Sequence, residues 1–215
     1  MKPIKLQKFL IAGGNSTLLV WNCPKTYRAK IIDRYLGGVE QVGFIEQKGE
    51  YLGLVMMGNE LCIDATIALA STLGNSGRLF TSGVKNPVEY KNITGLTIIK
   101  LPLTYKKTGN TVLLEGIGCI CSNKPATDIK GLLVNLTKKY RLPAFALIRY
   151  KKNRIIPYVY VKQTNSLFRE TACGSGSIAL SLYLRKEVII QPTGEKIFVQ
   201  RSNNIFTVGA KVSSI

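Results

Sequence analysis

Two cysteines stand in matching surroundings. Glu60-Leu61-Cys62-Ile63-Asp64-Ala65-Thr66-Ile67-Ala68-Leu69 and Glu170-Thr171-Ala172-Cys173-Gly174-Ser175-Gly176-Ser177-Ile178-Ala179-Leu180 share a cysteine, three residues, a small hydroxyl residue and then Ile-Ala-Leu. A glutamate precedes each cysteine by two or three positions. The chain contains no histidine, the side chain that most often moves protons near neutral pH. Cysteine, with a reference pKa of about 8.5, is the nearest substitute. At the start of a helix a cysteine meets unpaired backbone N–H groups and the positive end of the helix dipole, which favour its thiolate. Two such cysteines aimed at one cleft could invert a carbon stereocentre. One thiolate would remove a proton from one face and the opposite thiol would return a proton to the other, with no metal or cofactor required. Gly174-Ser175-Gly176 adds a loop without bulky side chains, whose N–H groups can approach an anion such as a carboxylate.

The elements that must position these cysteines are legible around them. Val42–Ile45 and Leu52–Met56 read as strands before Cys62, and Ile155–Val161 before Cys173. Apolar runs of helical length follow, Ala65–Leu73 and Ser175–Leu184, the first ended by Gly74-Asn75-Ser76-Gly77. Strand-like segments come next: Leu96–Leu101 in the first half, Lys196–Gln200 and Ile205–Val208 in the second. Each half reads as strands, cysteine, central helix, strands. A duplicated α+β fold is the economical expectation. The boundary falls between Lys100 and Thr111, giving lobes 1–104 and 105–215, with the last strand able to return to the first lobe.

Composition sets the frame. The 215 residues are 46% hydrophobic and 20% charged, the balance of an ordinary globular protein. No stretch approaches the ~20 apolar residues of a membrane span. The segment Met1–Gly14 holds a short apolar run without a cleavage site, so no signal peptide is read. Five cysteines in a chain of this length do not form a disulfide framework, and a cytoplasmic protein is expected. Cys119 and Cys121 share one face of a strand-like segment, but without a second pair or a histidine they do not make a metal site. Lys and Arg exceed Asp and Glu by 18, which points to nucleic acid or anionic ligands. The positive charges are dispersed, however, and none sits in a zinc-finger, Walker or RNP1-like pattern. A solvated basic surface is the plain reading; nucleic-acid binding by a catalytically degenerate chain is the rival one.

Several segments resemble a known superfamily. Thr171-Ala172-Cys173-Gly174-Ser175-Gly176 resembles the second cysteine motif of diaminopimelate epimerases and proline racemase-like enzymes. Ala12-Gly13-Gly14-Asn15 resembles their opening substrate-binding segment. Gly14-Asn15-x-Thr17-x-Leu19-Val20, Glu40–Glu46, Leu54–Cys62 and Gln191-Pro192-x-Gly194 are more similar to the histidine racemases of the staphylopine metallophore pathway. The resemblance spans most of the chain and is weakest over residues 75–155. It implies two pseudo-symmetric lobes, each a β-barrel wrapped around a central helix, with the active site between them. It also implies a cofactor-independent racemase or epimerase acting on a free amino acid, histidine foremost, with diaminopimelate-, proline- or phenazine-type isomerisation as the alternative. Catalysis would fall to Cys62 and Cys173. Asn15, Gln41, Asn59, Gly174 and Ser175 would contact substrate, with Glu60 and Glu170 beside them; a homodimer stays open. Asn15 reads equally as a turn residue, Gln41 as a surface residue, and the glutamates as first-turn caps. One departure stands out. The superfamily carries Gly-Asn after the first cysteine; here Ile63-Asp64 stand there, and a β-branched residue resists positive φ while Asp repels an anion.

Two thiols facing one α-carbon across a cleft could also pair with each other. Air oxidation is therefore expected to abolish activity reversibly. Activity indifferent to reductant, with both thiols still titratable after exposure to air, would rule this geometry out.

Overall fold

A computed structural model describes residues 3–215; Met1 and Lys2, the first two residues of the N-terminal segment considered above, lie outside the described residues. The architecture is mixed α+β and rich in strands, with seventeen strands and four α-helices among the described residues. The helices are α1 (Arg28–Tyr35), α2 (Ile63–Ser71), α3 (Ile129–Tyr140) and α4 (Gly174–Leu184).

One order of pairing runs twice along the chain. Lys5–Ile11 lies antiparallel to Gly14–Trp21, which runs parallel to Gln41–Lys48 across α1. Gln41–Lys48 turns back antiparallel into Tyr51–Met56, which runs parallel to Ser76–Thr81 across α2. Val88–Ile93 and Leu96–Pro102 complete the series antiparallel. In the second half, Thr111–Leu114 pairs antiparallel with Ile117–Ser122, which runs parallel to Ala144–Lys151 across α3. Arg154–Val161 follows antiparallel and meets Val188–Ile190 in parallel across α4. Lys196–Ser202 and Ile205–Ala210 then close antiparallel. Parallel neighbours require a crossover, and each of the four helices supplies one.

The two series are stitched together by their last strands. Ile205–Ala210 pairs antiparallel with Leu96–Pro102, and Val212–Ser214 adds to Lys5–Ile11.

The four helices divide into two kinds. In α2 every residue from Ile63 to Ala70 is buried, and in α4 every residue from Gly174 to Leu180. A helix enclosed on all sides must be apolar or small throughout, which is why Ile-Ala-Leu recurs in both. By contrast α1 buries no residue and α3 only Leu133 and Thr137. Helix α2 begins two residues earlier than its apolar run suggests and ends at Ser71. There Ser71 Oγ and Thr72 Oγ1 donate to the carbonyls of Ala68 and Leu69 at 2.7 and 2.8 Å, so no glycine is needed as a stop. Ser76 and Gly77 already belong to the next strand.

Phe206 sits on the strand that joins the two series, fully buried and edge-on to Tyr105 at 5.7 Å between ring centroids. Phe206→Ala should cost about 3–5 kcal/mol of unfolding free energy by urea denaturation. A loss below about 1 kcal/mol would mean the junction carries little of the fold's stability.

Candidate active site

The two central helices start alike. Cys62 and Cys173 are their N-cap residues, in extended backbone conformation. Each sulfur accepts the N–H three residues on: Ala65 to Cys62 Sγ at 3.2 Å and Gly176 to Cys173 Sγ at 3.3 Å. The hydroxyl of the repeat has a matching task. Thr66 Oγ1 donates to the Cys62 carbonyl at 2.6 Å, and Ser177 Oγ to the Cys173 carbonyl at 2.7 Å. Behind them, Thr66 Oγ1 meets Thr81 Oγ1 at 3.0 Å, while Gln191 Nε2 donates to Ser177 Oγ at 2.9 Å. Gln191 Oε1 also accepts the Cys173 N–H at 2.9 Å. The helix starts then meet end to end. Gly174 N–H donates to Asp64 Oδ2 at 2.6 Å, and a Cβ on Gly174 would run into the side chain of Ile63.

Between them lies a cavity of about 20 Å³ lined by both cysteines. That is room for about one water molecule. Glu40, Glu60, Asp64 and Glu170 also line it, and among the described residues no Lys or Arg does. A chain of amides runs from one cysteine towards the other. The Cys62 thiol donates to Gln41 Oε1, Gln41 Nε2 donates to Asn15 Oδ1, and Asn15 Nδ2 donates to the Ala172 carbonyl at 2.8 Å. The polarity of this chain is set at its far end. A carbonyl only accepts, so Asn15 must present its NH2 there and its oxygen to Gln41. Gln41 must then present its own oxygen to the sulfur, which makes Cys62 an S–H donor.

Electrostatics at the sulfurs are dominated by burial, which opposes the pull of the helix starts. Burial pushes the Cys62 thiol well above its ordinary value, with the Asp64 carboxyl adding to it and the Ala65 N–H opposing. Burial, then Glu170 and Asp64, do the same to Cys173. One N–H at each helix start does not offset full desolvation beside carboxylates. The carboxyls are raised too: Glu60 and Asp64 to about 7, mainly by burial, and Glu170 well above its usual range by burial and then by Asp64.

The structure brings most of the residues singled out in the sequence to this cavity. Cys62, Cys173, Gln41, Glu60, Asp64, Glu170 and Ser175 line it. Four others do not. Asn15 is buried one layer back, with Oδ1 and Nδ2 spent on Gln41, Thr17 and Ala172. Gly174 and Ile63 form the packed contact between the helices. Ile63 is helical and needs no positive φ, so its β-branch is accommodated rather than strained. Asn59 occupies the left-handed region (φ 58°) and is exposed, lining a separate hollow with Lys25 and Gln163. The glutamates are not helix caps: Glu60 Oε2 accepts the Gly58 N–H at 2.9 Å, and the capping atoms are the sulfurs. Sequence reading passed over Glu40, whose carboxylate accepts the Thr171 hydroxyl at 2.6 Å. It also passed over Gln191, which props Cys173. Both stand in segments already conspicuous in the sequence. All five cysteines are free, and among the described residues no group of three His, Cys, Asp or Glu is arranged to hold a metal ion.

Known proteins resemble the chain over nearly its whole length. The histidine racemase of Fusobacterium nucleatum subsp. nucleatum (strain ATCC 23726) is 27% identical over 243 aligned positions, covering 92% of this chain and 90% of that protein. The histidine racemase of strain ATCC 25586 is also 27% identical, covering 92% and 89%. These similarities support an epimerase/racemase-like superfamily member. Solved structures agree in fold. A predicted epimerase from Pseudomonas aeruginosa superposes with a TM-score of 0.66 at 8% identity, covering 99% of this chain and 97% of that one. A phenazine biosynthesis protein of the PhzF family from Bacillus anthracis superposes at 0.64 with 12% identity, covering 100% and 98%. No protein-family model matches the chain. The relatives support a racemase- or epimerase-type reaction. Among the described residues, no helix is long and apolar enough to cross a membrane.

The raised carboxyls carry a stability consequence. Asp64 and Glu60 ionise near 7 when folded and near 4 when unfolded, so the folded state holds protons that the unfolded state releases. Their stabilising share is full below about pH 4 and is lost as pH rises to about 7. Unfolding free energy should therefore fall across that window, and Asp64→Asn and Glu60→Gln should each flatten the fall. A profile unchanged by either substitution would mean these carboxyls are not buried as described.

Proposed function

We propose that this protein is a cofactor-independent racemase that inverts the α-carbon of a free amino acid, histidine foremost, by proton transfer between Cys62 and Cys173. The observation that carries this reading is the placement of both cysteines, each capping a central helix, on one small cavity. The similarity to two histidine racemases supports the reaction and suggests the substrate. The repeated pairing order supports reading the chain as two lobes, 1–104 and 105–215, each a barrel around α2 or α4. The final strand then returns to the first lobe. Five free thiols suit a cytoplasmic protein.

In this reading one cysteine must first lose its proton. Opening the cavity to water returns Glu170 towards its ordinary range, and Glu170, beside the Cys173 thiol, is then the ionised group placed to take its proton, leaving a thiolate and a neutral carboxyl. The thiolate then removes the α-proton: the C–H bond breaks, S–H forms, and the electron pair delocalises into the carboxyl group. The opposite cysteine, held as an S–H donor by Gln41, delivers its proton to the other face and becomes the thiolate. The cysteines thus exchange roles with each inversion, and the enantiomer that enters decides which one acts as base. A cavity of about 20 Å³ does not hold an amino acid, so entry requires the helix starts to part. The Asp64–Gly174 bond and the Glu40–Thr171 bond are what must open.

The test is α-proton exchange in D2O, followed by NMR over a panel of L-amino acids that includes histidine and diaminopimelate. Cys62→Ser and Cys173→Ser are run beside the wild type. Inversion of one substrate, lowered at least ~10³-fold by either substitution, is the expected result. Reduced, folded protein that exchanges none of the panel would overturn the reading.

A further inference from the structure

Positive charge is spread along the sequence, but the fold gathers part of it. Residues 105–215 hold 18 Lys and Arg against 5 Asp and Glu, whereas residues 1–104 hold 12 against 7. An asymmetry of this kind between halves points to a polyanionic partner. Two surface hollows in the second half collect eight of these cations. Lys107, Arg185, Lys186 and Arg201 line one, beside Tyr105 and Glu187. Arg149, Lys151, Lys152 and Arg154 line the other, beside Asn123 and Tyr150. Among the described residues, Glu187 is the one carboxyl in either lining, and none of the eight cations is in a salt bridge.

An aromatic pair joins the hollows. Tyr150 of the second packs edge-on to Tyr183 at 5.9 Å between ring centroids, and the Lys107 ammonium of the first lies over the Tyr183 ring at 5.5 Å. The band is therefore continuous: four cations, two half-buried tyrosines, four cations. Three of the cations are held by neutral groups that leave their charge uncompensated. Lys107 Nζ donates to the Leu182 carbonyl at 3.0 Å, Arg154 to the Gln191 carbonyl at 3.5 Å, and Arg201 to the Tyr105 hydroxyl. Lys107 and Arg185 stand at the C-terminal end of α4, where cations complement the helix dipole on their own account. That end does not account for Arg149, Lys151, Lys152 and Arg154, which come from the hairpin of Ala144–Lys151 with Arg154–Val161.

We propose that this band binds single-stranded nucleic acid, with phosphates in the two cationic hollows and bases against Tyr150 and Tyr183. Cationic grooves track a flexible backbone, and aromatic rings between them stack on bases of any sequence. A duplex keeps its bases stacked internally and has no use for the tyrosine pair. A membrane surface calls instead for exposed apolar side chains among the cations, and none of the exposed large hydrophobic residues lines either hollow. The eleven residues of α4 put roughly 16 Å between the band and Cys173 at the other end of the helix. The band is thus separate from the cysteine cavity, and the proposal stands whether or not the racemase reading does.

The experiment is fluorescence anisotropy on the reduced full chain, with a labelled single strand of about 12 nucleotides compared with a duplex of the same length. At about 50 mM salt the single strand should bind about tenfold more tightly than the duplex or better. Its association constant should fall with salt at a log–log slope of about −3 or steeper, the value for four neutralised phosphates. Lys151→Gln, Lys152→Gln, Arg185→Gln and Lys186→Gln combined, all at exposed side chains, should weaken single-strand binding by about tenfold or more. Lys5→Gln, Lys30→Gln, Lys48→Gln and Lys91→Gln combined remove the same charge from exposed positions in the first half and should cost less than about threefold. Tyr150→Ala should cost about fivefold or more, and Tyr150→Phe, which keeps the ring, should restore binding. Equal losses from the two quadruple variants would overturn the proposal, because net charge alone would then explain the attraction. Tighter binding of the duplex, binding of phosphatidylserine vesicles but of no oligonucleotide, or no binding at low salt would overturn it too. These last comparisons use the wild type and depend on no variant folding.

Discussion

The hydrogen bond from Gly174 to Asp64 is the hinge on which the site's chemistry turns. It joins the first residue of α4 to the second residue of α2, so the two halves touch at their most polar points. Helix starts normally turn their free N–H groups to water or to a ligand. Here one of them turns to a carboxylate of the same chain, and the side chain of Ile63 fills the space over Gly174 that a larger residue would need. Burial raises the carboxyls and cysteines of the cavity together, while the Gly174 N–H itself opposes the rise at Asp64.

Around that contact the surroundings of the two cysteines are close to equivalent but not identical. Both sulfurs cap a helix and both carbonyls accept a hydroxyl one turn on. Their side-chain partners differ. Cys62 faces an amide oxygen at the end of a chain of directed hydrogen bonds, which holds it as a proton donor. Cys173 faces the buried carboxyl of Glu170, with which a proton can be shared. A nearly symmetric scaffold thereby holds two thiols of unlike readiness, a useful property where one must give a proton while the other takes one.

The fold supplies rigidity where it counts. The central helices are buried along nearly their whole length, and each cysteine sulfur accepts a backbone N–H of its own helix. The seam between the halves combines apolar packing, such as Ile63 on Gly174, with polar bonds: Asn15 to Ala172, Glu40 to Thr171, and Thr193 Oγ1 to the Ala12 carbonyl at 2.7 Å. The polar bonds can open at modest cost because water replaces each one. The strand pairing of Ile205–Ala210 with Leu96–Pro102 keeps the halves tethered meanwhile.

The duplicated cysteine motif, the strands beside it and the two enclosed helices were legible in the sequence, because burial on all sides forces an apolar run that stands out against its neighbours. So was the pairing of each cysteine with a hydroxyl one turn on. Helices α1 and α3 were not, since they bury little and show no marked run of their own. The weights of the competing terms at the sulfurs were not legible either. A helix start argues for a thiolate, and only the packed structure sets desolvation and the carboxyls of Glu60, Asp64 and Glu170 against it. Ile63-Asp64 read in the sequence as obstacles to an anion. In three dimensions one of them becomes packing and the other takes the anion's place, because local sequence names the donors and acceptors at each helix start while only tertiary contact decides which of them meet.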